Sequence, residues 1–125
     1  MALFGGKDKE KKSAMEVYGD KVKEFLLLGE EIESIYPLVL DFLCVTNKRL
    51  IFVDKEISFK EPTTSIITIP YKNITGVGLV KNQKLLSISD ELIIKTYREN
   101  YKLKFLRLES SNIVQIYNEV VGKIL

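Results

Sequence analysis

The sequence predicts a mainly β domain with some helix: a seven-stranded antiparallel barrel or sandwich, closed by a C-terminal helix and preceded by an extra N-terminal one. Three observations carry this. Between Glu30 and Leu108 the chain breaks into seven short segments rich in Ile, Val, Tyr and Phe. Turn-type residues (TNK, KEPTT, YKN, KNQ, REN) separate most of them. On either side of that region the apolar period changes from two to about 3.6.

The helix before the strands is expected over 13–28. Ser13 with Glu16 three residues on has the form of a capping box. Met15, Tyr18, Val22, Phe25 and Leu26 recur at helical spacing, and Gly29 is a natural stop. The strand segments are Ile32–Leu40, Asp41–Val45, Arg49–Asp54, Ser65–Pro70, Ile74–Val80, Glu91–Tyr97 and Tyr101–Leu108. So many short strands with tight links imply a meander that closes or nearly closes. Ser110 or Ser111 can cap the last helix. Ile113, Ile116, Tyr117, Val120, Val121 and Ile124 line one face of it, suited to plugging an open end.

At 125 residues the chain is expected to be one domain, divided into a charged tail (1–12), the helix (13–28) and the strand-rich body (29–125). The tail carries four lysines against Asp8 and Glu10. Set aside from nineteen basic and seventeen acidic residues, it leaves fifteen of each. A neutral body argues against nucleic acid, whose binders carry a basic surplus in the folded domain. No apolar run approaches the roughly 18 residues of a membrane span. The apolar start MALF is too short for a signal peptide, and one cysteine cannot form an internal disulfide. The expected compartment is the cytoplasm.

Three stretches carry a resemblance: GEEIE at 29–33, DFLCVTNKRLIFVDK at 41–55 and IPYKNITGVGLV at 69–80. Together with the MALF start and the N-terminal helical segment, they are similar to the bacterial pleckstrin-homology (PH)-like domain family. The resemblance implies a PH-like fold, a cyclic, ring-like homo-oligomer and a hydrophilic surface for an unknown protein partner. It implies no catalytic residues.

Two strands have no wet face. In Phe42–Val45 and Leu50–Val53 both parities are apolar, whereas Tyr101–Phe105 alternates, with Lys102 and Lys104 toward water. Leaving four such side chains exposed would forfeit on the order of 1.5–3 kcal/mol each. Patterning leaves two covers open, the 13–28 helix or another subunit, and the resemblance favours the subunit. Leu43, Val45, Ile51 and Val53, or their opposite-parity neighbours, are therefore the expected interface core. Thr46, Asn47, Lys48 and Arg49 are the candidate rim for a partner or an anion.

Catalytic chemistry finds little support. The chain has no histidine, and Cys44 lies inside an apolar strand. No metal or cofactor is expected: GVG at 76–78 lacks the third glycine of a dinucleotide loop, and suits a bulge or close packing. The carboxylates Glu30, Glu31, Glu33, Asp90 and Glu91 read as solvated strand ends. Eukaryotic PH domains hold phosphoinositides with basic residues in the first strand pair, but IYPLVLDFL has none. Membrane binding is thus the weaker alternative, resting on Lys48, Arg49 and the tail. An enzyme is not expected.

Overall fold

A computed structural model describes residues 14–39, 42–56, 63–81, 89–106 and 113–125. The 1–12 tail and the proposed caps Ser13, Ser110 and Ser111 lie outside them. Helix α1 (Ala14–Lys23) leads into β1 (Ile32–Pro37), β2 (Phe42–Thr46), β3 (Arg49–Glu56) and β4 (Thr63–Pro70). A 3-10 turn at Tyr71–Asn73 precedes β5 (Gly76–Val80), β6 (Ser89–Lys95) and β7 (Asn100–Leu106), and α2 (Ile113–Ile124) ends the chain.

The strands form two antiparallel sheets, β1-β2-β3-β4 and β5-β6-β7. They make a sandwich and not a closed barrel. The 3-10 turn lifts the chain out of the first sheet, with the Ile74 amide donating back to the Tyr71 carbonyl (3.1 Å). At the opposite edges a backbone bond from Val39 N–H to the Lys104 carbonyl (2.9 Å) bridges the sheets.

The core between the sheets holds Leu43, Val45, Leu50 and Phe52 from the first, and Leu92, Ile94, Leu103 and Phe105 from the second. Helix α2 adds Ile113, Ile116 and Val120. Gly78 serves close packing: a Cβ there would lie 3.3 Å from Ile93 Cβ, and the β5–β6 register continues unbroken past it.

A second, smaller core lies on the outer face of the first sheet. Phe42, Cys44, Ile51, Val53 and Ile35 are covered by Val22 of α1, with Tyr18 stacked on Phe42 at 4.7 Å between ring centroids. The chain's own helix is therefore the cover, where the resemblance had favoured a neighbouring subunit. The register pairs Leu43 with Phe52, Val45 with Leu50 and Cys44 with Ile51. Leu43 and Val45 thus face the sandwich core, while Ile51 and Val53 lie beneath α1. These four expected interface residues share no face, and all are buried within the single chain. Alternation over paired strands dictates that outcome.

Helix α1 also stops five residues short of the expected 28. The Phe25 and Leu26 amides close the last turns on Val22 and Lys23. The remaining residues form a connector, in which Gly29 takes φ +79°, a conformation that costs a side-chain-bearing residue about 1–2 kcal/mol. In β1 a bulge between Ile32 and Ser34 exchanges the faces. It sets Ile32 beside Ile35 under α1, while Ser34 and Tyr36 meet α2.

Candidate functional site

The three motif stretches converge on one node. Glu30, whose side chain is wholly buried, takes two parallel bonds from Arg49, from Nε and Nη2, each at 2.9 Å. It also accepts from Thr46 Oγ1 (2.7 Å) and from the Leu27 amide (3.0 Å). The guanidinium goes on to the Phe25 carbonyl (2.6 Å) and Thr68 Oγ1 (3.1 Å). Two-pronged bonding to a desolvated carboxylate is what the planar guanidinium does best. Arg49 holds the Glu30 carboxyl down to about 2, against the burial that would raise it.

The turn between β2 and β3 is built into the same node. Thr46 Oγ1 accepts the Lys48 and Arg49 amides (3.1 and 3.0 Å). Asn47 exchanges bonds with the Glu31 backbone and donates from Nδ2 to the Gly29 carbonyl (3.1 Å). From the 3-10 turn, Tyr71 donates its hydroxyl to the Thr46 carbonyl. Burial pushes the Tyr71 phenol up, with nearby Glu33 adding to it, so it stays a donor.

Of the four candidate rim residues, Thr46 is buried and Arg49 has its guanidinium engaged internally. Asn47 and Lys48 are exposed, Asn47 with its amide engaged and Lys48 at the tip. The node is a structural clasp between the connector and the β2–β3 hairpin. Glu30, read from sequence as a solvated strand end, is the clasp's buried centre. A carboxylate next to Gly29 gives no sequence signal that an arginine 19 positions on will pair with it.

Beside the clasp the connector presents apolar side chains to water: Leu28 is fully exposed, Leu27 is 59% exposed, and Phe25 is partly so. Cys44 is buried, and burial pushes its thiol up to about 11, so it is no nucleophile at neutral pH. Among the described residues no group of three metal-ligating side chains comes together, and no helix is long and apolar enough to cross a membrane.

Among the described residues the sandwich has two open sides. Helix α2 fills the one between β1 and β5. Its Glu119 accepts hydroxyls from Ser34 (2.7 Å) and Tyr36, and its Lys123 pairs with Glu33. The other side, between β4 and β7, is a cleft of about 820 Å3. Leu38, Phe52, Ile67, Tyr101 and Leu103 supply its apolar lining, and Glu99, Lys102 and Lys104 its charge. A smaller cavity of about 310 Å3 adjoins it, sharing Glu99 and Tyr101 and adding Arg98. The sequence showed Lys102 and Lys104 facing water but not the cleft, which needs two sheets to exist.

Two orthogonal features, a four-plus-three antiparallel sandwich and a C-terminal helix in one open side, define a PH-like domain. The chain belongs to the bacterial PH domain family, whose model matches residues 7–124. It is 32% identical over 87 residues to the uncharacterized protein YozO of Bacillus subtilis, covering 70% of this chain and 74% of that one. Over 56 residues it is 42% identical to a second such protein, YjqA, covering 45% and 44%. In fold it is similar to the pleckstrin-homology domain from Shewanella amazonensis (TM-score 0.67, 22% identity, 92% of this chain and 90% of that one). A protein with such a domain from Shewanella loihica is equally close (TM-score 0.67, 21%, 91% and 95%).

Proposed function

We propose that this chain is a non-catalytic cytoplasmic binding module that works as a ring-shaped homo-oligomer and offers a polar rim to a protein partner. The observation that carries the reading is the apolar knob at Leu27 and Leu28. The Glu30–Arg49 clasp holds it in water, through bonds to the Leu27 amide and the Phe25 carbonyl. A buried ion pair is a costly way to shape a loop. A loop so held, with leucines outward, suits contact with another chain. Asn47, bonded to the Gly29 carbonyl next to the knob, and its exposed chain neighbour Lys48 supply the polar margin. The absence of histidine from the sequence, the inert Cys44 and the fully bonded Glu30 support a non-catalytic role.

Native mass spectrometry across micromolar concentrations tests this. A multiple of the chain mass is expected, reduced to monomer by Leu27→Asp with Leu28→Asp; monomer throughout for the unaltered chain sinks the assembly reading. The same knob beside Lys48 gives the second reading, peripheral binding to anionic membrane. It requires salt-sensitive binding to phosphatidylserine vesicles that the same double substitution abolishes.

A further inference from the structure

Along β6, the Lys95 carbonyl accepts the Thr75 amide (2.8 Å), so Lys95, Ile93 and Glu91 turn their backbone groups toward β5. Ile94, Leu92 and Asp90 therefore bond to β7, where they face Tyr101, Leu103 and Phe105. The backbone groups of Asn100, Lys102 and Lys104 must then point away from β6, out of the sheet edge. An independent contact agrees, since the Lys104 carbonyl is the acceptor for Val39 N–H.

Val39 thus forms one rung of a ladder on the free edge of β7. At Lys102 and Asn100 that ladder is vacant among the described residues, and the vacancy opens into the 820 Å3 cleft. The facing wall is β4, another edge strand, whose sequence TTSIITIP carries no charge. Edge strands usually carry charge or a cover that discourages pairing. Here, among the described residues, β7 leaves backbone groups free above an apolar lining and faces an uncharged edge strand, the geometry that accepts an extended segment.

Charge selects among such segments. Arg98, Lys102 and Lys104 line the two joined cavities against a single acid, Glu99, which is engaged by the Tyr101 hydroxyl (2.6 Å). Lys102 and Lys104 are exposed and make no ion pair among the described residues. Glu91 is the residue across from Lys104 on β6.

We propose that the cleft between β4 and β7 takes an extended acidic peptide segment of a partner protein, which continues on β7 the ladder that Val39 begins. Alternate apolar side chains of the segment enter the cleft toward Phe52, Ile67 and Leu103. The acidic ones meet Lys102 and Lys104. This goes beyond the binding-module reading, whose rim lies at Asn47 and Lys48, by naming a second site and the class of partner it takes.

The test uses the full chain and a fluorescein-labelled octapeptide of alternating valine and glutamate, read by anisotropy at low salt. A valine–lysine octapeptide is the control, and light scattering on the same samples reports assembly. The acidic peptide should bind at least tenfold more tightly than the basic one. Lys102→Pro, which deletes an N–H that bonds to nothing in β6, should weaken it at least tenfold. Lys102→Glu with Lys104→Glu should do the same without touching the backbone, so a misfolded proline variant does not leave the matter open. Failure of the acidic peptide to bind, equal binding of both peptides, or unchanged binding by the glutamate variant overturns the proposal. So does blockage of the cleft by a second copy, or capture of phosphatidylserine vesicles in place of the peptide. Assembly without peptide binding refutes this inference alone, whereas a monomer that binds the peptide refutes only the ring.

Discussion

The two open sides of the sandwich received different treatment from the same chain. Between β1 and β5, α2 inserts Ile113, Ile116 and Val120 into the core, and its Glu119 and Lys123 tie the helix to β1. Between β4 and β7 nothing comparable inserts among the described residues, and Phe52, Ile67 and Leu103 line an open cleft. The first side behaves as interior, where stability is made. At the second, Phe52 and Leu103 remain buried core residues at the floor, while among the described residues the outer edge of β7 is unpaired at Asn100 and Lys102, and neither Lys102 nor Lys104 makes an ion pair. The clasp at Glu30 belongs with the first kind, although its charged turn looks in sequence like the second.

Substitutions can break or sharpen that contrast. Arg49→Ala should have the largest effect, because it strands the Glu30 carboxylate in the interior: about 3–5 kcal/mol in urea unfolding. It should also change the acid limb. Glu30 lies near 2 in the folded chain against an ordinary value of 4.5. Its stabilisation is therefore fully present above about pH 4.5 and lost as pH falls toward 2. In Arg49→Ala this part of the acid loss should disappear. If unfolding is as steep in acid as before, Glu30 is not the group held by Arg49.

Ile116→Ala, on the plugged side, should cost about 2–5 kcal/mol by leaving a cavity under the helix, measured the same way. Lys102→Ser, on the open side, should change stability by less than about 0.5 kcal/mol. A loss at Lys102 comparable to that at Ile116 would mean the cleft is part of the core, and the contrast would fail.

Much of the fold was legible because strand and helix periods are local. All seven strands and the last helix fall within a few residues of where the pattern put them. The errors cluster where a distant residue intervenes. Helix α1 ends early because Glu30 and Arg49 seize the connector after it. The bulge at Glu33, which reverses the faces of β1, has no local signature. The expected interface set mixed two faces because a strand apolar on both parities does not tell which parity points inward. Of the four rim residues, Thr46 and Arg49 were drawn inward. Arg49 and Thr46 found a buried acid that a linear reading could not bring to them.

By itself the sequence determined the order of elements, the plug and the dryness of both faces of β2 and β3. Each follows from periodicity within one segment and from the cost of wetting apolar surface. Tertiary structure alone decided what covers the outer face, what the charged turn is for, and where the sandwich stays open. Those depend on contacts such as Ser34 with Glu119, 85 residues apart, and on the meeting of two sheet edges. A local pattern states that a surface must be covered or a charge satisfied. Only the folded chain brings the partner.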